Sequence, residues 1–407
     1  MSWNWKSPQG SRNWRGCCDG QDWIESKDQS ECGIRLIQTG NIGIGEYWDK
    51  CNRAKYISAE TFERLKCTEV LPGDILISRL PDPIGRACAV PKYVGKAITA
   101  VDCTIVRLDN SLCDANYFIN YTQSVRYGNE LSKFLAGTTR TRISRKNLEK
   151  IEIPLPPLDE QRKIAAVLDK VSDLIAKRRQ QLDKLDEMVK TRFVEIFGDP
   201  VCNPNGYLKI KVGEAVARGY IEKPLDGNHG EKHPKTAEYV NDGIPFIMAN
   251  NLTDSGEVDL IHCAHITRER ALRLDKGFAH NLDVLITHKG TIGRTAILYT
   301  DLDFVMLTPQ VTYYRIKKGM TPDYLKAYFS TDYFQMEMAS LAAAGGSTRA
   351  YAGITAQLSL PILIPPLPLQ KEFAFFNKQT VALKTTVSHS LDKLETLKKA
   401  LMQEYFG

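Results

Sequence analysis

The residues able to do chemistry fall in two stretches of the 407-residue chain, and their kinds suit recognition of a polyanion better than catalysis. In the first stretch they are Arg79, Arg86, Lys92 and Lys96, followed by Arg140, Arg142, Arg145 and Lys146. In the second they are Asn250, Asn251, His288, Lys289, Thr291 and Arg294, followed by Ser347, Thr348, Arg349 and Tyr351. Arginine pairs with guanine and asparagine with adenine through two hydrogen bonds in the major groove, whereas lysine, serine and threonine mostly hold phosphates. Glycine nearby lets backbone approach a phosphate closely, although Gly85 and Gly293 could equally serve only a positive φ. Any one of these side chains could be an ordinary solvated surface group. Their recurrence at equivalent places in both stretches lifts the group, though not each member, above that reading.

Constellations for catalysis are missing. Gly43-Ile44-Gly45 lacks the third glycine of a dinucleotide loop, and Gly95-Lys96 is followed by Ala97, so it is no Walker A loop. Pro156-Pro157 and Pro365-Pro366 both precede Leu, so the Pro-Pro-aromatic loop with which amino-methyltransferases grip a flipped base is absent, as is a G-x-S-x-G elbow. Neither ATP use nor methyl transfer by this chain is expected. Eight of the ten Cys lie in the first 113 residues without a C-x-x-C pair, and read as small buried hydrophobes with free thiols. His262, Cys263 and His265, with His229 and His233 upstream, come nearest to a metal cluster but lack a second half of matching spacing. With 43% apolar and 25% charged residues the chain has the composition of a soluble globular protein. Its formal charge of +6 permits nucleic-acid binding without requiring it. No export segment and no run of about 18 apolar residues occurs, which predicts a cytoplasmic protein without a membrane span.

These residues must be positioned by a duplicated framework. Ile153 to Gly198 aligns without a gap on Ile362 to Gly407 at a constant offset of 209. Pro156-Pro157 falls on Pro365-Pro366, Gln161 on Gln370, Leu182-Asp183-Lys184-Leu185 on Leu391-Asp392-Lys393-Leu394, and Phe197-Gly198 on Phe406-Gly407. Each Pro-Pro pair blocks a helix before it, so a helix can start only afterwards. Leu168, Val171, Ile175, Leu182, Leu185, Val189 and Ile196 then follow at steps of three and four, with Arg178 and Arg192 in the missing places. This is a seam rather than a broad buried face. A rod of some 35 to 40 residues, roughly 55 to 60 Å, needs a partner, and its duplicate with Leu391, Leu394 and Leu401 is the obvious one.

The blocks before each helix repeat as well. Strands are predicted at Gly33 to Ile37, Asp74 to Ser78 and Ile98 to Arg107, with helices at Ser58 to Cys67, capped by Ser58, and at Asn116 to Phe134. Gly243 to Ile247 and Asp283 to Thr287 match the first two strands, Ile-Gly-Arg at 84–86 recurs at 292–294, and Gly137 to Arg140 recurs as Gly346 to Arg349. The domains read as 1–152, 153–198, 199–361 and 362–407. The fold class is α+β: two mixed α/β domains joined by two long antiparallel coiled-coil helices in a pseudo-two-fold internal repeat.

Ile151 to Asp169, Leu360 to Phe373, the strand at Gly73 to Ser78 and the two G-x-T-R loops together resemble the DNA-specificity subunit of Type I restriction-modification systems, over essentially the whole chain. The resemblance implies two target-recognition domains, each reading one half of a split, asymmetric site in double-stranded DNA. It implies helices that pack antiparallel as a ruler and dock two methyltransferase subunits, with restriction and motor subunits joining that core. No cofactor is expected in this chain; S-adenosylmethionine and ATP with Mg²⁺ would reside on the partners. Asp159-Glu160 becomes Pro368-Leu369 and Leu168 becomes Asn377 in the second copy, so the two docking surfaces need not be equivalent. An autonomous DNA-modifying enzyme and a coiled-coil adaptor without DNA contact are the readings from other classes.

Overall fold

The computed structural model describes residues 17–18, 24–136, 141–344 and 350–407. Two compact units emerge: Met1–Arg179 with His389–Gly407, and Gln180–Ser388. The two 40-residue helices, Leu158–Phe197 and Leu367–Phe406, each begin in one unit and end in the other. Both start directly after their Pro-Pro pair, as the missing amide hydrogen and fixed φ of proline require. The α+β class read from the sequence is the class observed. Among the described residues no helix is long and apolar enough to cross a membrane.

In the first unit one antiparallel sheet runs in the order Cys17–Cys18, Cys103–Val106, Ile75–Ser78, Ala87–Ala89. A second runs Gln29–Ser30, Lys55–Ile57, Ile34–Ile37, Ala97–Thr99, its last pair parallel. Ile75 to Ser78 is buried at every position, which explains an unbroken apolar run where a half-exposed strand would alternate. Ser58 caps the helix Ala59–Leu65 by accepting a hydrogen bond from the Thr61 amide. Two predicted elements are each split in two. The strand expected over 98–107 is Ala97–Thr99 and Cys103–Val106 in different sheets, because a turn at 100–102 carries the chain between them. The helix expected over 116–134 is Ala115–Tyr121 and Val125–Ser132, the second begun afresh by Ser124 capping the Tyr127 amide.

The second unit repeats this plan. Its antiparallel sheet runs Leu225–Asp226, Val311–Tyr314, Val284–Lys289, Thr291–Ile297, and its other sheet runs Tyr239–Val240, Ala264–Ile266, Ile244–Ile247, Val305–Leu307, Phe278–Ala279. Again one pair, Ile244–Ile247 with Val305–Leu307, is parallel.

The duplication extends to individual hydrogen bonds. Asp74 takes a two-pronged ion pair from Arg107, Nε at 2.9 Å and Nη2 at 3.0 Å, and Asp283 takes the same from Arg315 at 2.9 and 2.8 Å. Tyr117 and Tyr121 donate to the carbonyls of Pro154 and Glu152, and Tyr324 and Tyr328 to those of Leu363 and Pro361. Gln161, fully buried, accepts from the Asp114 amide and donates to the carbonyls of Leu112 and Pro156. Gln370 does the same with Thr321, Gly319 and Pro365. Each glutamine thereby locks the first turn of a long helix to its own mixed domain, with its buried polar atoms satisfied.

Within each unit the long helices meet antiparallel. In the first, Ile164, Ala165 and Leu168 share a core with Leu401, Met402 and Phe406, and further along Arg179 pairs with Glu395 at 2.7 Å. In the second, Asp186 pairs with Lys384 and Arg192 with Glu372, both at 2.6 Å. Leu168, Val171 and Ile175 of the expected seam are buried, while Leu182, Leu185, Val189, Leu391, Leu394 and Leu401 are half-buried.

Candidate nucleic-acid interface

The strand end at Ser78-Arg79 in the first unit and at Thr287-His288 in the second receives the chain as it returns towards the long helix. Ile143 donates its amide to the Arg79 carbonyl at 3.2 Å, and Ala352 donates to the His288 carbonyl at 3.0 Å. Arg142 and Tyr351 are the residues just before, so Arg79 with Arg142 occupies in one domain the place of His288 with Tyr351 in the other. Arg79 is half-buried, donates through Nη2 to the Val101 carbonyl, and has its pKa lowered by burial and by nearby Arg142 and Arg145, which Asp102 opposes. Arg142 and Lys92 are exposed, Lys92 on the turn Lys92–Val94. Lys289 is half-buried, with Nζ 5.9 Å from the ring centre of half-buried Tyr351. Arg294 donates to the Leu252 carbonyl and pairs with Asp254 at 2.9 Å. Asn250 is exposed. Arg140, Ser347, Thr348 and Arg349 lie outside the described residues.

Three predicted contact residues point inward instead. Arg86 is 8% exposed and its guanidinium donates to the carbonyls of Ile42, Leu80, Pro83 and Thr39, so four of its five N–H donors tie loops together inside the domain. Asn251 is 4% exposed; its Oδ1 accepts from the Met248 amide and shapes the turn Ala249–Asn251, as Asn41 does with Gln38 in the first unit. His288 is fully buried with Nδ1 2.7 Å from Thr312 Oγ1, and burial pushes its pKa down to about 4. Each is polar because a loop or strand end inside the domain needs a hydrogen-bond partner.

Beside Tyr351 lies a group that joins His229, read from the sequence only as part of an incomplete metal-like cluster, to Asp226 and Lys276, which that reading did not single out. Asp226, 1% exposed, receives Lys276 Nζ on one oxygen and His229 Nε2 at 2.6 Å on the other. Burial alone would raise this carboxyl, but the hydrogen bonds from Lys276 and His229 outweigh it and hold the pKa below its ordinary value. Asp226, His229, Lys276, Leu341, Tyr351 and Ile354 line a concavity of about 540 Å³. The run Asp226-Gly227-Asn228-His229 was visible in the sequence, but the residue that completes the group, Lys276, is distant along it. His262, from the metal-like cluster, pairs instead with Asp259 at 2.9 Å, and the Cys88, Cys103, Cys113 and Cys263 thiols are buried and free.

Residues 34–186 match the family described as the Type I restriction modification DNA specificity domain. The chain is 23% identical over 286 residues to the Type I restriction enzyme MjaVIII specificity subunit of Methanocaldococcus jannaschii, covering 65% of this chain and 64% of that one. It is 22% identical over 322 residues to the EcoKI specificity subunit of Escherichia coli K12, covering 75% and 67%. The matched stretch, residues 34–186, carries the Type I DNA specificity domain. The chain's match spans less than two thirds of several such relatives, 64% of the MjaVIII subunit and 39% of the EcoBI subunit. The fold of this chain agrees over 99% of its length with a chain from a structure on assembly and conformational transition of the type I R-M system, which is itself covered to 99%, with a TM-score of 0.57 at 17% identity. The S subunit of M. genitalium gives 0.56 at 13% identity, over 95% of this chain and 92% of that one.

Proposed function

We propose that the chain supplies the DNA sequence specificity of a Type I restriction-modification complex. Each mixed domain reads one half of a bipartite, asymmetric site, and the paired helices set the unread interval and dock two methyltransferase subunits, which restriction and motor subunits join. S-adenosylmethionine and ATP with Mg²⁺ act on those partners, and this chain carries no catalytic step. The assembly works in the cytoplasm, where the DNA is. One observation supports this reading above the rest: two domains keep the same internal bonds, from Asp74–Arg107 and Asp283–Arg315 to the paired tyrosines, while Arg142 in one stands where Tyr351 stands in the other. A common frame with unlike side chains at the same strand end is what two different half-sites call for.

The test is to lengthen the helices. One or two extra turns after Gln180, with matching turns after Ser388, add about 5 to 11 Å, or roughly two to three base pairs. Sequencing of the DNA methylated by the reassembled complex is expected to show a longer interval between unchanged half-sites. An unchanged interval would defeat the ruler.

A further inference from the structure

The concavity beside Tyr351 holds a histidine whose ring is fixed in one tautomer. Asp226 sits on the short strand Leu225–Asp226, pinned to Val311–Tyr314, so its carboxylate has a set position. One of its oxygens is taken by Lys276 Nζ, whose backbone amide is in turn held by Asn228 Oδ1 at 3.2 Å. The other meets His229 Nε2 at 2.6 Å. An ionised carboxylate only accepts hydrogen bonds, so Nε2 carries the hydrogen and, in the neutral ring, the lone pair belongs to Nδ1. The hydrogen bonds that keep the Asp226 carboxyl below its ordinary pKa agree with an ionised partner. The His229 side chain is 45% exposed, and Nδ1 has no hydrogen-bond partner among the described residues. An oriented acceptor is thus left at the mouth of the concavity, next to the aromatic ring of Tyr351 and the apolar side chain of Ile354.

We propose that His229 is a base-reading residue of the second domain, its Nδ1 accepting a hydrogen bond from an exocyclic amine in the major groove, either adenine N6 or cytosine N4. This rests on the DNA-specificity reading above. In the major groove those two amines are the only donors that bases offer, so an acceptor fixed by its neighbours rejects guanine and thymine edges, which present acceptors there. The apolar wall beside it suits the methyl group of the thymine that accompanies adenine, and makes adenine the expected choice. Asp226 acts through the ring as a positioning residue, as a carboxylate does behind a metal-bound histidine.

The experiment uses the full chain assembled with its methyltransferase partners. The probes are duplexes bearing the site identified by methylome sequencing, with one base pair at a time replaced by each alternative. His229→Gln can still donate to Asp226 but loses the Nδ1 acceptor; His229→Asn places an amide oxygen near the Nδ1 position. At a single pair of one half-site the parent is expected to prefer adenine or cytosine. His229→Gln should lower that preference about fivefold or more, leaving the other pairs and the salt dependence unchanged, and His229→Asn should retain part of it. A Gln variant that keeps the parental preference at every pair would overturn the assignment. So would loss of preference across the whole half-site in both variants, which would mark His229 as a packing residue. A parent complex with no sequence preference would overturn the specificity reading itself, and the assignment with it.

Discussion

Replacing Phe406 with alanine is expected to cost the first unit about 3 to 5 kcal/mol, the range for deleting a fully buried aromatic ring. The last residue of a helix ordinarily frays. Phe406 instead is 1% exposed, with its ring edge-on to Tyr117 and Tyr121, both centroids at 5.5 Å. Those tyrosines also hold the carbonyls of Pro154 and Glu152, so the cavity would open where the mixed domain, the approach to the first long helix and the end of the second all meet within one unit. Its counterpart Phe197 packs on Tyr324 at 4.8 Å and Phe373 at 5.6 Å in the second unit. Urea unfolding followed by circular dichroism should show an early transition in Phe406→Ala that leaves the second unit's transition in place. A coincident, unshifted curve would mean that the end of the second helix does not belong to the first unit's core.

Replacing Asp283 with alanine is expected to cost the second unit about 3 kcal/mol, towards the lower end of what breaking a buried ion pair removes. Asp283 is 2% exposed and takes three hydrogen bonds, two from Arg315 and one from the His280 amide at 2.7 Å. Alanine would strand both the amide and a guanidinium that burial disfavours and Asp283 compensates. Arg315 keeps a side-chain exposure of 23%, and its contact with Glu222 offers a second carboxylate, which is why the lower figure applies. Changing Asp283 to leucine and Arg315 to methionine together should recover much of the loss, since two well-packed apolar groups leave no charge unpaired. If the double variant is as unstable as the single one, the pair's value lies in shape rather than charge.

Much of the frame was legible because it is written locally and twice. The Pro-Pro pairs fix where both long helices start, Ser58 announces a helix, and the run Ile75 to Ser78 is buried on both faces. An offset of 209 carries each of these from one copy to the other. The site was less legible, for reasons that are not local. Arg86 looks like any loop arginine until the Thr39 and Ile42 carbonyls, more than 40 residues earlier, arrive at its guanidinium. His288 and Asn251 carry side chains that recognition would use, yet their partners Thr312 and the Met248 amide turn them inward. The break within 98–107 was hidden because both pieces are β-branched and apolar, and only pairing with different sheets separates them. Asp226 and Lys276 lie far apart in sequence, and each alone is an unremarkable charge.

The central claim is that each mixed domain specifies its own half of the DNA site. The most direct measurement is to replace residues 199–359 with the matching segment of a Type I specificity subunit and to sequence the DNA methylated by the reassembled complex. One half-site should change while the other half-site and the interval between them stay as in the parent. A change in both half-sites, or in neither, would contradict it.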